Sequence, residues 1–183
     1  MKATTATAIK DAKTIRSDEK LKPPGTLGDN AIREISAALT ALLADSFALY
    51  LKTKNFHWHV SGPNFYGYHL MFDEQAAQIL AATDDMAERA RKIGGTTLRS
   101  LQQAASMTRV EGNEADFVEP ADMLAELVQD NRAFSAALKA VHELCDEHGD
   151  VATASLIEVW IDEAERRTWF LFEASRPAMT AGH

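Results

Sequence analysis

The chain has 183 residues, of which 46% are hydrophobic and only nine are Gly and five Pro. This length suits a single domain with a substantial core, and the long Ala-, Leu- and Glu-rich segments predict an all-helical fold. The single cysteine, Cys145, excludes an intrachain disulfide and fits a reducing compartment. No signal-like apolar block follows Met1 and no uninterrupted apolar run approaches membrane-spanning length, so we expect a soluble, cytoplasmic protein without membrane contacts.

The net charge of −8 is unevenly distributed along the chain. Residues 1–22 carry six basic and three acidic side chains, a balance of +3, which leaves −11 for the remainder. We therefore expect residues 1–28 to form a flexible basic arm that binds DNA non-specifically by charge, and the alternative is a solvated tail with no nucleic-acid role. The DNA-binding candidates are Lys2, Lys10, Lys13, Arg16, Lys20 and Lys22.

Four long helices are predicted from capping residues and apolar periodicity. Asp29 or Asn30 can cap the first helix, Gly94 follows the second, and Pro120 suits the first turn of the third. The predicted ranges are 29–58, 64–93, 120–148 and 150–175, within a domain of residues 29–176 that a short tail, 177–183, follows.

The connection between the second and third helices is long. Its 25 residues lie between Ile93 and Glu119, and Leu98–Ala105 is predicted to form a short helix within it. Two helical hairpins joined by such a crossover have the connectivity of a ferritin-like four-helix bundle. The usual di-iron site inside that bundle needs Glu-x-x-His motifs on two helices, and this sequence has none.

Five potential metal ligands lie between His57 and Glu88 at spacings that one chain cannot bring together. His69 and Asp73 are four residues apart, as are Asp84 and Glu88, so each pair lies on one helix face. The pairs are roughly 22 Å apart along a helix. A second copy of the helix, antiparallel across a two-fold axis, would bring the two ends together and give two equivalent sites per dimer, each with one His57.

The ligands on the second helix share one stripe, within about 100° of arc. The residues between them, Ala77, Leu80 and Ala87, are apolar and mostly small, which predicts a close contact with another subunit. No Lys shares the stripe and only Arg91 comes near it, which argues against an exposed face of capping and salt-bridging groups. A second stripe is predicted to face the core (Phe72, Ala76, Ile79, Met86, Ala90, Ile93) and a third to face solvent (Glu74, Gln78, Asp85, Arg89, Lys92).

The run from His57 to Phe65, followed by His69, Asp73 and the block Asp84–Arg89, resembles the ferroxidase signature of the Dps mini-ferritins, the DNA-binding proteins from starved cells. The resemblance is most specific over residues 54–95. One position departs, because the family often has Asn where this chain has His59. The resemblance implies a hollow dodecamer of 23 symmetry that oxidises Fe(II), preferably with hydrogen peroxide, stores ferric mineral, and in many members binds DNA and associates with the nucleoid during starvation or oxidative stress.

The ligand chemistry also suits iron. Imidazole and carboxylate ligands bind Fe(II), and zinc would compete for them. Two irons per site can pass two electrons to one peroxide, whereas a lone iron passes one and releases hydroxyl radical; dioxygen is the alternative oxidant. The expected arrangement places Asp84 and Glu88 of one subunit opposite His57, His69 and Asp73 of the other.

Several side chains also have ordinary structural explanations. Trp58 would stack over the metal centre or intercept radicals, and plain packing explains it equally well. Cys145 is expected to be a small buried residue rather than a redox sensor. Ordinary surface or hydrogen-bonded histidines are expected at His59, His142 and His148.

Two other functions fit the same sequence. One is a mini-ferritin that detoxifies iron without binding DNA. The other is a non-enzymatic cage, metal-free or zinc-bound, with a structural role.

Overall fold

The computed structural model describes residues 21–176. Within that range the chain forms five α-helices and no strands. They are α1 (Asp29–His59), α2 (Phe65–Lys92), α3 (Leu101–Met107), α4 (Pro120–Glu147) and α5 (Val151–Ser175). This order confirms the predicted ferritin-like bundle of two helical hairpins joined by a crossover that carries a short helix.

Local residues fix two ends of the long helices. Gly94 follows α2 with a φ of 101°, which requires glycine, and the Gly95 N–H donates to the Ala90 carbonyl at 3.0 Å. The Asp150 carboxylate caps α5 by accepting from the Thr153 N–H at 3.2 Å. The glycines thus separate α2 from the crossover, and the Asp150 cap keeps the turn between α4 and α5 short.

One predicted helix cap and one predicted helix start were wrong. The N-cap of α1 is Gly28 and no side chain caps it, because Asp29 pairs with Lys22 instead. The short helix begins at Leu101 rather than Leu98, since the Ser100 hydroxyl accepts from the Gln103 N–H at 3.1 Å and sets the first turn there.

The two hairpins pack so that α1 runs antiparallel to α4. Glu34, near the start of α1, accepts from His148 at the end of α4 at 2.7 Å. Near the opposite end of α1, the buried Lys52 ammonium lies 3.0 Å from Glu126. The core between the helices is apolar, and the predicted core stripe of α2 is buried throughout: Phe72, Ala76, Ile79, Met86, Ala90 and Ile93.

Two residues of α2 that were predicted to face solvent bind α5 instead. The Arg89 guanidinium donates to Thr153 at 2.7 Å and to Asp150 at 2.5 Å. Gln78 accepts from the buried Arg167 at 3.0 Å. This face of α2 borders α5, and long side chains can reach across that boundary, which periodicity alone does not reveal.

The crossover is held against α1 by one buried carboxylate. Asp45 is 2% exposed and accepts from the backbone N–H of Arg109 at 2.7 Å and from its Nε at 2.9 Å. The Thr108 hydroxyl donates to the same carboxylate at 3.2 Å. A buried charge needs such partners, so this contact fixes where α3 and the following segment lie.

The first helix is long and apolar enough to cross a membrane by length and composition, with a mean hydropathy of 1.4 over its most apolar 18 residues. More than half of that window is buried inside the bundle. Its apolar residues, including Ile35, Leu39 and Leu42, pack in the core, so core packing explains the composition of α1.

Candidate metal centre

Two histidines meet where α1 ends and α2 begins. The Nδ1 atom of His57 lies 2.7 Å from the His69 carbonyl oxygen, and the Nδ1 atom of His69 lies 2.9 Å from the His57 carbonyl oxygen. The rings stack with their centroids 3.8 Å apart and their planes at 22°. A carbonyl can only accept, so each Nδ1 carries the proton in the neutral ring and each Nε2 keeps its lone pair. Both imidazoles are therefore prepared to bind a metal through Nε2.

The nearest carboxylate is Asp73, one helical turn after His69. Its Oδ1 atom lies 4.0 Å from the Nε2 atom of His57 and accepts from the Lys54 ammonium at 2.6 Å. Lys54 holds the pKa of the Asp73 carboxyl below its usual range, so this group is ionised at neutral pH. Just over half of the Asp73 side chain is exposed.

The other two predicted ligands lie at the far end of the same helix. Asp84 and Glu88 are both exposed, roughly 22 Å from the histidine end at the rise of an α-helix. Lys92 lies 2.9 Å from Glu88 and lowers the pKa of that carboxyl. The structure thus brings His57, His69 and Asp73 together and leaves Asp84 and Glu88 apart from them.

Neither end is a complete metal site in one chain. Among residues 21–176, no three His, Cys, Asp or Glu side chains lie close enough to hold a metal ion. The histidine end offers the buried His57, the half-buried His69 and the exposed Asp73, and the other end offers two exposed carboxylates.

The surface between the two ends is apolar. Ala77 is exposed and Leu80 keeps 40% of its area exposed, although both lie on a helix whose opposite face is fully buried. Near the histidine end the stripe continues into Phe65 and Leu70, which are 44% and 48% exposed. A contiguous apolar stripe on one chain is typical of a surface that another subunit covers.

The chain is similar to known proteins over nearly its whole bundle. A family model described as a ferritin-like domain matches residues 36–174. The DNA protection during starvation protein of Brevibacillus brevis is 33% identical over 140 residues, which cover 75% of this chain and 91% of that relative. The protein of the same name from Agrobacterium fabrum is 30% identical over 150 residues, covering 82% and 93%. Among solved structures, DpsC from Streptomyces coelicolor is 26% identical with a TM-score of 0.81, covering 87% and 93%.

The chain belongs to the Dps family. The similarity is not confined to the histidine signature, because it extends over most of the helical bundle. The structure adds the hydrogen bonds that orient these histidines, which the signature alone does not contain.

Sequence reasoning missed two lysines in this Dps bundle. Lys54 reaches Asp73 from α1, and Lys92 reaches Glu88 from one turn further along α2. Lys92 follows Glu88 by four residues, a spacing that predicts neighbours on a helix, whereas the contact of Lys54 with Asp73 joins two helices. The expectation that the ligand stripe has no lysine partner was therefore wrong.

The remaining candidates near the Dps signature have ordinary contacts. Trp58 is 58% exposed and lies 5.9 Å from the Lys54 ammonium. His59 is exposed, with its Nδ1 atom 2.8 Å from the Asn55 carbonyl oxygen. Away from the signature, His142 contacts Asp146 on its own helix and Glu158 on α5, and His148 contacts Glu34 on α1.

Of the predicted DNA-binding residues, the structure describes Lys22 alone. Its ammonium pairs with Asp29, and the preceding carbonyl, of Leu21, accepts from Arg91 at 2.6 Å. The chain is therefore tied to the bundle from residue 21 onward. The other five candidates lie outside the described residues: Lys2, Lys10, Lys13, Arg16 and Lys20.

Proposed function

We propose that this protein is a Dps-type ferroxidase that oxidises Fe(II), stores the ferric product as mineral inside a protein cage, and protects DNA from oxidative damage. The observation that carries the proposal is the pair of half-sites on α2: two histidines with available Nε2 atoms beside a carboxylate at one end, and two exposed carboxylates at the other. The membership of the Dps family supports it, because two of the relatives are named for DNA protection during starvation.

In the proposed site each subunit plays two roles. His57, His69 and Asp73 of one subunit face Asp84 and Glu88 of a second, which runs antiparallel across a two-fold axis. Imidazole and carboxylate ligands leave positions on Fe(II) open for an oxidant, and they would also bind zinc as a competitor. The dimer then has two equivalent sites, each able to take two irons as substrate.

Pairing the irons determines the products. Two Fe(II) ions give two electrons, which with two protons reduce hydrogen peroxide to two water molecules. A single Fe(II) gives one electron and leaves hydroxide and a hydroxyl radical. We propose that peroxide is the preferred oxidant, dioxygen the slower one, and that Trp58, exposed one residue after His57, is placed to intercept radicals that escape.

The cage is proposed to be a dodecamer of two-fold dimers. The chain outside residues 1–22 carries a charge of −11, and an acidic cavity wall would concentrate Fe(II) and nucleate mineral. Exposed carboxylates on α5, Glu158, Asp162 and Glu165, are candidates for that wall. The native mass tests the assembly: we expect about twelve times the chain mass of 20.1 kDa, and a stable monomer would contradict the shared site.

We propose that an arm, residues 1–28, binds DNA non-specifically, and that it precedes a bundle of residues 29–176 and a short tail, 177–183. The protein would act in the cytoplasm, in contact with the nucleoid. The iron chemistry depends on the bundle alone, so it stands whether or not the arm binds DNA.

Co-expression of two inactive variants tests the shared site. One chain carries Asp84→Ala and Glu88→Ala, and the other carries His57→Ala and His69→Ala. A mixed dimer has one site with all its ligands, so random pairing should restore about a quarter of the sites. The measurement is the rate of Fe(II) oxidation with peroxide, followed by absorbance of the ferric product.

In the matched control, both co-expressed chains carry substitutions in the same half-site, the one that contains the histidines. A chain with His57→Ala and His69→Ala is co-expressed with a chain carrying Asp73→Ala, and no pairing of these chains completes a site. The shared-site proposal requires activity in the first mixture and none in the second. Equal inactivity of both mixtures would refute it.

A further inference from the structure

Lys54 binds the carboxylate oxygen of Asp73 that lies nearest to His57. Its ammonium lies 2.6 Å from Oδ1 of Asp73, and the same oxygen lies 4.0 Å from the Nε2 atom of His57. A metal midway between that nitrogen and that oxygen would be about 2 Å from each, which matches ordinary metal–ligand distances. The gap fits a metal ion, but one of its two ligands is already bound to a cation.

A divalent metal and the Lys54 ammonium repel each other at that oxygen. Only 18% of the Lys54 side chain is exposed, so solvent screens the repulsion incompletely. A metal that binds His57 together with Oδ1 of Asp73 would therefore compete with Lys54 for that oxygen.

The structure also offers Lys54 a second position. Its Nζ atom already lies 5.9 Å from the centroid of the Trp58 ring, which is 58% exposed. The face of an indole attracts an ammonium ion. A rotation of the flexible Lys54 side chain toward Trp58 would release Asp73 while keeping a favourable contact for the charge.

We propose that Lys54 is a built-in competitor of metal at the histidine half-site, and that a metal ion binds there only by displacing Lys54 from Asp73 toward Trp58. The inference rests on the proposed function, because it concerns the affinity of the same half-site. Its consequence is that one subunit alone binds metal weakly. Stable loading needs the additional carboxylates of a second subunit, which favours paired irons over a single one.

Zinc titration of the full-length assembled protein tests this, because zinc has the same ligand preference and no redox chemistry. Lys54→Met removes the charge and keeps the apolar stem, and we expect it to bind zinc on the order of tenfold more tightly by calorimetry, within the range of ordinary coupling between two ligands. Lys54→Arg keeps the positive charge and should bind zinc as weakly as the parent. Adding Asp73→Asn to Lys54→Met should abolish the gain.

A zinc-loaded crystal structure gives a second measurement, in which Lys54 should lie beyond hydrogen-bond distance from Asp73. If Lys54→Met binds zinc no more tightly than the parent, or if Lys54 still bonds Asp73 in the loaded structure, the proposal is wrong. Failure of the proposed function would give a different result. In that case the variant with His57→Ala and His69→Ala would bind zinc as tightly as the parent does. That result would overturn the role of Lys54 as well.

Discussion

Gly95 holds the end of α2 closer to α1 than any residue with a side chain would allow. A Cβ atom built on Gly95 would lie 2.2 Å from the Cβ atom of Ser36 and 2.4 Å from its hydroxyl oxygen. Gly95 also donates its N–H to the Ala90 carbonyl and so closes the helix end. Gly95 therefore closes the C-terminal turn after α2 and fixes how closely that end packs against α1.

We expect Gly95→Ala to destabilise the fold by about 1–3 kcal/mol, because the methyl group forces α1 and α2 apart. Urea denaturation followed by circular dichroism measures the change in free energy of unfolding. The matched control is Gly67→Ala, on α2, where the added carbon meets no atom of another part of the chain within 4 Å. A Gly95→Ala variant as stable as that control would mean that the helix packing adjusts without cost.

Cys145 illustrates how burial decides reactivity. It is fully buried in the core, and desolvation of the thiolate raises its pKa to about 12. The expectation from sequence that it is a small buried residue agrees with this environment.

We expect Cys145 in the native protein to resist iodoacetamide at pH 8, because only ~10⁻⁴ of the thiol is ionised there. In urea at the same pH the thiol should react at the rate of an ordinary cysteine. Mass spectrometry of the alkylated chain measures both rates. Rapid alkylation of the native protein would show that the thiol is accessible and would reopen its role as a redox sensor.

At the level of elements, the helices could be predicted because their signals are local. Periodic apolar residues and the sequences around Gly94, Pro120 and Asp150 determine where the long helices lie, within about two residues. The start of the short helix at Leu101 could not be predicted by periodicity, since seven residues carry too little of it. Its position follows from one hydroxyl, that of Ser100.

The metal ligands could be proposed from sequence, but the arrangement around them could not. The reciprocal hydrogen bonds of His57 and His69 depend on how the turn after α1 brings two backbone carbonyls to the two rings. The contact of Lys54 with Asp73 joins two helices and is decided by their packing. Spacing within one helix identifies ligands, whereas their partners across helices require the tertiary structure.

The apolar stripe of α2 makes a prediction about assembly. Ala77 lies between the two ligand pairs and is exposed in one chain, so we expect the two-fold partner to pack against it. Ala77→Lys would bury an unpaired charge at that contact and should dissociate the dimer and abolish Fe(II) oxidation. Sedimentation velocity measures the dissociation.

Asp85→Lys, at an exposed position on the solvent-facing stripe of α2, is the control for adding a lysine to this helix. It should assemble as the parent does. Full assembly and full iron oxidation by Ala77→Lys would mean that the stripe faces solvent, and the interface would have to be sought elsewhere on the chain.

At the level of the whole molecule, charge separates two proposed activities. The chain outside residues 1–22 carries −11, which suits a body that collects Fe(II) and repels the phosphates of DNA. Any attraction to DNA must then come from the basic residues near the start of the chain. In a dodecamer there would be twelve copies, and weak contacts would reinforce one another by raising the effective concentration at the surface.

Deleting residues 1–20 tests this directly. The deletion keeps Leu21 and Lys22, which contact Arg91 and Asp29 on the bundle, so the body should be undisturbed. We expect the truncated protein to oxidise iron at the parent rate and to lose its gel shift with duplex DNA. The shift of the intact protein should be independent of sequence and weaken steeply as salt rises, because binding by charge releases counterions.

A second variant separates charge from length. Replacing the five basic residues of that segment by Gln keeps all 20 residues and removes the positive charge: Lys2, Lys10, Lys13, Arg16 and Lys20. Since the segment also holds Asp11, Asp18 and Glu19, its balance is only +2, and the substitution changes it to −3. We expect this variant to bind DNA no better than the deletion. A gel shift unchanged by either variant, or absent for the intact protein at low salt, would show that the body's own surface binds DNA or that the protein stores iron without a DNA partner.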